Sequence, residues 1–360
     1  MRGPGCSGVS GACGAGSWAL GLPRVARCLV AGLLLWLAAC GDAGHAPAAP
    51  LQRTGRFGTL RDLVLFASTD PVDAGALFVD RFEVTRGDWK EFAASETGQA
   101  CGAAAILSGG EPDLPIGGVD LVQARAFAAW RFLRLPRRDE WLVAAAVDGR
   151  SRYPWGSRDD PLRTNTAELG LGTATLVGTF ESGRRGGGDQ PYDLIGNVSE
   201  WTETVPSAWW QRDRDPIAGP AAGMRSLRRT PALSVWSGRG GLVPSAWLVA
   251  AGGSRVPRLV VGSDFQAPMD QQAEEVLGSD RRDRTGVRLC ASARELLANL
   301  LAAPQRAEPD DLDQLRRFVR RGRHRQALAD AFRHLSSPPP AGPVTTCLQA
   351  ELEGAPASGR

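Results

Sequence analysis

The chain has 360 residues, of which 43% are hydrophobic and 22% charged, an ordinary globular composition with room for one large domain or two small ones. The formal net charge of +3 is too small for this length to indicate nucleic acid binding. The three histidines are His45, His324 and His334, so the long central part of the chain contains none. This absence excludes a histidine-rich metal site and a Ser-His-Asp triad from that part.

The first forty residues have the pattern of a targeting segment. Basic residues precede an apolar run over 28–39, which is shorter than the roughly 20 residues of a membrane span and fits a secretory signal. The run ends in Leu-Ala-Ala-Cys, which resembles a bacterial lipobox and implies lipidation at Cys40. The alternative is a plain signal peptide cleaved near Ala39. We expect a lipid-anchored protein of the bacterial cell envelope, and Gly41 is compatible with delivery to the outer membrane, facing the periplasm or the exterior.

Residues 41–74 are predicted to form a tether and lead-in segment, because the chain up to residue 52 is rich in Ala, Pro and Gly. The alternating residues 77–85 predict a strand. Apolar periodicity predicts three helices, over 86–94, 120–132 and 139–147. Long glycine-rich stretches between them lack such periods. We therefore predict one α+β domain over 75–295, with few short strands and two or three helices.

The character of the chain changes after residue 295. A charged pattern with an imperfect apolar stripe predicts one basic amphipathic helix over 308–335, which includes six arginines between Arg316 and Arg325. This C-terminal helix either docks on the domain with its polar face in solvent or contacts anionic lipid headgroups near the tether. Residues 336–360, rich in Pro, Gly and Ala, are predicted to be a disordered tail.

An ordered set of short motifs spans the predicted domain. The set includes Phe-Glu-Val-Thr at 82–85, Tyr-Pro-Trp-Gly at 153–156, Gly-Asn-Val-Ser-Glu-Trp at 196–201 and Thr-Gly-Val-Arg at 285–288. Together the motifs resemble the sulfatase-modifying-factor family, whose best-known members are formylglycine-generating enzymes. The resemblance implies an elaborated C-type-lectin-like fold that is rich in loops, in agreement with the α+β prediction.

The resemblance also implies a structural calcium ion on the loop around Gly196. The implied ligands are the side chains of Asp193, Glu200 and Glu83 and the backbone carbonyls of Gly196 and Val198. Calcium prefers six to eight oxygen ligands and commonly mixes carboxylates with loop carbonyls. The alternative is that these acids only accept hydrogen bonds from loop N–H groups.

Two other metal sites of the family are incomplete in this sequence. A second calcium site would use Asn165, but the segment 168–177 lacks the aspartate that this site needs. The family enzymes oxidise a substrate cysteine with oxygen at Cu(I), a soft ion that calls for two thiolate ligands. The positions that match those two cysteines hold Pro257 and Gly262. We therefore expect no copper and no catalytic residues.

The copper-binding cysteines and the aspartate of the second calcium site are absent, whereas the scaffold motifs are present. This combination predicts that the chain has the family fold but a different function. The favoured function is a non-catalytic, calcium-stabilised binding or scaffold module on a lipid anchor, with a protein or peptide as its candidate ligand and no nucleic acid partner. One alternative is an oxidoreductase of the formylglycine-generating or non-haem iron family with altered metal chemistry, and another is a structural part of an envelope machine. An oxidising envelope would permit one disulfide among Cys101, Cys290 and Cys347.

Overall fold

A computed structural model describes most of the chain after the predicted tether. The described ranges are 55–67, 76–107, 109–145, 151–186, 189–204, 257–269, 273–277, 279–303 and 307–353. The predicted signal segment and Cys40 lie outside the described residues. No helix within the described ranges is both long enough and apolar enough to cross a membrane.

Short helices and shorter strands are joined by long irregular segments, as predicted for an α+β domain. The helices in the described part are α1 (Gly55–Gly58), α2 (Arg86–Ala94), α3 (Glu96–Ala100), α4 (Leu121–Trp130), α5 (Arg138–Ala145), α6 (Ala293–Ala302), α7 (Pro309–Val319), α8 (His324–Arg333) and α9 (Pro343–Leu352). The strands are β1 (Leu63–Ala67), β2 (Ala76–Asp80), β3 (Ser199–Trp201), β4 (Pro257–Val261), β5 (Ala273–Leu277), β6 (Thr285–Gly286) and β7 (Cys290–Ser292). The three helices predicted between residues 86 and 147 are confirmed as α2, α4 and α5.

The strands form two small sheets. The first has the order β1-β2-β7 and is antiparallel, with Phe78 of β2 opposite Leu65 and Ala291. The second has the order β5-β4-β3-β6, in which β3 pairs antiparallel with β4 and parallel with β6. Glu200 therefore lies on an interior strand, opposite Val261 on one side and Gly286 on the other.

Helices α2 and α4 each begin at a reciprocal cap. The Thr85 side chain accepts a hydrogen bond from the backbone of Asp88, whose carboxylate binds the Thr85 backbone in return, and α2 starts there. Asp120 and Gln123 do the same for α4. These two helices bring Trp89 and Phe127 together, with ring centroids 5.2 Å apart, in the main hydrophobic core.

The folded domain begins earlier than the predicted boundary at residue 75. Strand β1 lies within the predicted lead-in segment, and Leu60, Leu63 and Val64 are buried in the structure. The run Leu-Val-Leu-Phe-Ala is continuously apolar, so it lacks the alternation that identifies a half-buried strand from sequence. Residues 55–67 of the lead-in segment are thus part of the folded domain.

The C-terminal region also differs from its prediction. The single helix over 308–335 is two helices, α7 and α8, separated at Gly322, whose φ of +46° lies in the left-handed region that favours glycine. The tail over 336–360 was predicted to be disordered, and this is wrong for α9, which buries Val344, Leu348 and Leu352. The Pro/Gly-rich composition before Pro343 suggested disorder, but proline suits the first turn of a helix. Residues Pro47–Arg360 form one compact unit.

His324 joins the C-terminal helices to the first sheet. Its ring is buried between Phe78 and Phe318, at centroid distances of 5.0 and 4.9 Å. Burial, together with the charge of Arg81, lowers the pKa of His324 to about 4, although a hydrogen bond to the Phe318 carbonyl opposes the shift. The folded protein therefore holds this histidine neutral at neutral pH.

We expect His324 to make the protein less stable in mild acid. A histidine in the unfolded chain takes up its proton near pH 6.5, whereas His324 in the folded state does so near pH 4. The stabilisation that the folded state gains from holding His324 neutral is complete above pH 6.5 and is lost as the pH falls towards 4. Urea unfolding at pH 7 and at pH 4.5 gives the free energy of unfolding at each pH. Its decrease between the two pH values should be larger in the wild type than in His324→Gln, by on the order of 2 kcal/mol. His334→Gln, at an exposed position, is the control, and equal losses in wild type and His324→Gln would contradict the expectation.

Candidate functional site

The candidate site is the turn that leads into β3. Asp193, Gly196 and Asn197 have φ values of +53°, +85° and +63°, so three of five successive residues are left-handed. A Cβ at position 196 would collide with the Thr164 hydroxyl and the Asn165 carbonyl, and only glycine fits there. This winding turns the polar groups of the loop towards the protein interior.

Glu83 reaches this loop from the segment that follows β2. Its Oε1 accepts a hydrogen bond from the Val198 N–H at 3.0 Å, and its Oε2 accepts one from the Asn197 side chain at 2.6 Å. Burial raises the pKa of Glu83 well above its usual range, and the charge of Asp193 raises it further, while Arg288 opposes the shift. A carboxylate at this position therefore carries a substantial electrostatic cost in the absence of a cation.

Asp193 is buried on the same side of the loop. Its Oδ2 accepts a hydrogen bond from the Gly178 N–H at 2.6 Å. Burial, together with the charge of Glu200, raises the pKa of Asp193 to about 6, although the Gly178 N–H and Arg288 oppose the shift. Like Glu83, Asp193 is a buried acid whose ionised form is insufficiently compensated.

Glu200 lies on β3 and is paired with a buried arginine. Its Oε1 accepts a hydrogen bond from Arg288 Nε at 2.8 Å, and its Oε2 accepts one from the Trp141 indole N–H at 2.8 Å. Arg288 also donates to the backbone carbonyls of Tyr192, at 2.8 Å, and Asp80, at 3.0 Å. Burial raises the pKa of Glu200, with Arg288 opposing. One guanidinium thus joins β3, the loop and the end of β2.

The charges of this acidic cluster, defined as Glu83, Asp193 and Glu200, do not balance. Within the described part of the chain, Arg288 is the buried cation that compensates all three carboxylates. The nearby Asp80 is matched separately by a buried pair with Arg131, at 3.0 Å. Each buried ion without a counter-charge costs several kcal/mol, so the remaining two negative charges require either protons or a divalent cation.

The implied calcium ligands belong to one loop, the strand that follows it and the segment after β2. Glu83 hydrogen-bonds the backbone of Val198, and Asp193, Gly196 and Glu200 belong to the same loop and strand. Each of the three carboxylates accepts hydrogen bonds from N–H donors. This agrees with the alternative that the acids only accept hydrogen bonds and hold no metal. Among the described residues, no three His, Cys, Asp or Glu side chains form a metal-holding group. The implied calcium site also includes two backbone carbonyls, those of Gly196 and Val198. Calcium binding here stays a prediction.

The second calcium site of the family is less complete. Asn165 is buried, and its Oδ1 has no hydrogen-bond partner within the described residues. Its Nδ2 donates to the Thr173 carbonyl at 2.9 Å. Glu168, the acid nearest in sequence, accepts the Met269 N–H at 3.0 Å instead. The incompleteness of the second calcium site therefore stays a prediction from the sequence.

The position that matches the second copper-binding cysteine is closed to side chains. Gly262 follows β4 with a φ of +72°. A Cβ there would lie 2.9 Å from the Leu194 carbonyl oxygen and 3.5 Å from Trp141 Cζ2. Pro257, at the position of the first cysteine, begins β4 opposite Leu277. The backbone at 262 is thus adapted to glycine.

The three cysteines in the described ranges are free thiols on separate elements. Cys290 is buried in β7, and Cys101 and Cys347 lie at the end of α3 and within α9. The Cys290 sulfur accepts a hydrogen bond from Arg134 at 3.1 Å. Burial raises the pKa of Cys290 well above its usual range, despite Arg134. Cys290 is therefore held as a thiol and not as the thiolate that Cu(I) requires.

Sequence reasoning did not identify Arg288 and Trp141 as the partners of Glu200. Arg288 lies inside the Thr-Gly-Val-Arg motif that carried the family resemblance, but its role was not assigned. The available signal was Arg288 itself, which interrupts an otherwise apolar run over 287–291. A charge in a buried run requires a buried counter-charge, and this predicts an acidic partner without naming it.

Comparison with known proteins identifies the family. Residues 54–293, about two thirds of the chain, match the model described as the sulfatase-modifying factor enzyme 1-like domain. The chain belongs to this family. Membership, together with the few short strands and the several helices, confirms the fold class that the motifs implied.

Several curated proteins are similar to parts of the chain. The inactive C-alpha-formylglycine-generating enzyme 2 of Bos taurus is 38% identical over 101 residues, which cover 25% of this chain and 33% of that protein. Hercynine oxygenase of Mycobacterium tuberculosis is 32% identical over 175 residues, which cover 38% and 40%. The chain thus spans about a third to two fifths of these relatives. The solved structure of PvdO from Pseudomonas aeruginosa is 18% identical with a TM-score of 0.40, over 63% of this chain and 91% of that one.

Proposed function

We propose that this protein is a non-catalytic member of its family, a calcium-stabilised binding or scaffold module that a lipid at Cys40 holds in the bacterial cell envelope. The observation that carries the proposal is the closed backbone at Gly262, where a copper-binding cysteine has no room. No cysteine lies between Cys101 and Cys290, so no neighbouring position supplies a substitute. The relative from Bos taurus whose name includes "inactive" is in keeping with this proposal.

Calcium is proposed as the structural ion because it answers the charge imbalance of the acidic cluster. Three buried carboxylates face one guanidinium, and a divalent cation would supply the two missing positive charges. A carboxylate oxygen that accepts one hydrogen bond keeps a second lone pair for a metal. Side chains of Asp193, Glu200 and Glu83 would hold the ion, with the backbone carbonyls of Gly196 and Val198. The ion would fix the loop in its left-handed winding.

We expect Asp193→Asn to abolish most of the stabilisation by calcium. The asparagine keeps an acceptor for the Gly178 N–H but loses the negative charge that the ion requires. Calcium at about 100 times its Kd should stabilise the wild type by about 2.7 kcal/mol relative to EDTA. Thermal unfolding with calcium and with EDTA measures both proteins. Asp283→Asn, at a side chain that is 89% exposed, is the control and should respond like the wild type. Equal calcium responses in Asp193→Asn and the wild type would reject the site.

The second candidate is an oxidoreductase with altered metal chemistry, which the similarity to a hercynine oxygenase favours. Residues 54–293 contain no histidine, and His324 is enclosed by two phenylalanine rings, so this chain offers few nitrogen ligands for iron. Elemental analysis of the purified protein separates the two candidates. The non-catalytic proposal predicts calcium without copper or iron, and stoichiometric copper or iron would overturn it.

A further inference from the structure

The end of α7 and the turn into α8 carry a dense group of positive charges. Residues 316–325 include six arginines and no acid, and we name this group the basic turn: Arg316, Arg317, Arg320, Arg321, Arg323 and Arg325. Arg317, Arg320 and Arg323 are exposed, and the Arg320 side chain is 66% accessible. The apolar side of the same helices is occupied by the core, where Leu315, Phe318 and Leu328 are buried. The arginines therefore form the outward side of docked helices.

Carboxylates of the protein balance only part of this charge. Within the described ranges, three ion pairs involve the basic turn: Arg316 with Asp313, Arg320 with Glu351 and Arg321 with Asp189. Arg325 instead donates to the backbone carbonyls of Glu351 and Glu353, at 2.7 and 3.0 Å. Among the ion pairs of the described residues, none engages Arg317 or Arg323. Positive charge remains at the surface after the internal pairs are made.

The basic turn lies beside the point where the chain joins the folded domain. Helix α1, with the turn that follows it, packs against α7. Arg321 also donates to the backbone carbonyls of Arg61 and Leu63. Fourteen residues, 41–54, separate Cys40 from α1. At no more than about 3.5 Å per residue, they keep the start of α1 within about 50 Å of Cys40.

We infer that the basic turn binds the anionic headgroup surface of the membrane in which the lipid anchor is held. This inference rests on the proposed lipidation of Cys40. Each basic residue near an anionic surface strengthens binding about fivefold, and a lipid chain and a basic patch act together as two attachment signals. The anchor makes the second contact intramolecular, which raises its effective concentration. The α7–α8 side of the domain then faces the membrane.

The test uses residues 41–360, produced without the anchor, because the compact unit lies within this range. Binding is measured by sedimentation with vesicles of phosphatidylcholine alone or with about 30% phosphatidylglycerol, at about 50 mM and 500 mM NaCl. We expect binding to the anionic vesicles at low salt, little binding at high salt and none to neutral vesicles. Arg317→Glu/Arg323→Glu should bind at least about tenfold more weakly.

The matched control is Arg158→Glu/Arg185→Glu, which reverses two exposed arginines of other loops and changes the net charge equally. It should stay within about twofold of the wild type. Equal losses in the two double variants, or no binding to anionic vesicles at low salt, would overturn the inference. If the glutamate variant misfolds, Arg317→Gln/Arg323→Gln gives the same comparison with a smaller loss. Fatty-acid labelling of the full chain against Cys40→Ser tests the anchor separately, so failure of the anchor and failure of the basic turn are distinguishable.

Discussion

Replacing Arg288 with methionine is expected to lower the free energy of unfolding by about 3–5 kcal/mol. Methionine fills a similar volume but removes the partner of Glu200 and the donor to the Tyr192 and Asp80 carbonyls. Glu200 would stay buried without its partner, and Glu83 and Asp193 would lose the guanidinium whose charge opposes the rise of their pKa. Urea unfolding of the purified variant measures the loss.

A neighbouring arginine provides the control for this substitution. Arg282 pairs with Glu274 at 2.5 Å, and the two side chains are 35% and 41% exposed, so Arg282→Met should cost no more than about 1 kcal/mol. Adding Glu200→Gln to Arg288→Met should recover part of the loss, because the uncompensated charge disappears. Similar small losses for Arg288→Met and Arg282→Met would show that the acidic cluster does not depend on its guanidinium.

Introducing a cysteine at position 262 is expected to destabilise the protein by about 2–6 kcal/mol. The residue must adopt a left-handed φ, which costs about 1–3 kcal/mol, and its Cβ must displace the Leu194 carbonyl or the Trp141 ring, which costs a similar amount. Gly172→Cys is the matched control, because Gly172 has a φ of +69° and nothing within 4 Å of the added Cβ. Gly172→Cys should lose only the stability that a left-handed φ costs a non-glycine residue, about 1–3 kcal/mol. If both variants lose the same stability, the site at 262 is open and the main support for a non-catalytic protein is lost.

The parts of the fold that were predictable from sequence are those with local signals. Apolar periodicity predicted helices over 86–94 and 120–132, and α2 and α4 lie there, each started by a cap, at Thr85 and Asp120. Strand β1 has no alternation, and α9 follows a Pro/Gly-rich stretch, so local patterns pointed away from regular structure in both. Both β1 and α9 are regular because their side chains pack in the core, and a local sequence pattern does not predict such packing.

The candidate site shows the same division. The motif around Gly196 indicated the acids of the cluster, because they lie within a few residues of one another or in a recognisable neighbouring motif. The partners of Glu200 are Trp141, 59 residues before it, and Arg288, 88 residues after it. Nothing in the local sequence joins these three residues. The charge balance of the cluster, and with it the physical reason for a cation, therefore emerged only from the fold.

The most direct measurement of whether this protein is non-catalytic is the oxidation of a cysteine peptide under oxygen with Cu(I) supplied. A formylglycine-generating enzyme run in parallel verifies the assay, and mass spectrometry detects the aldehyde product. We predict no product above the protein-free control, because position 262 is closed and Cys290 is a buried thiol. Repeated turnover of the peptide by this protein would contradict the proposal.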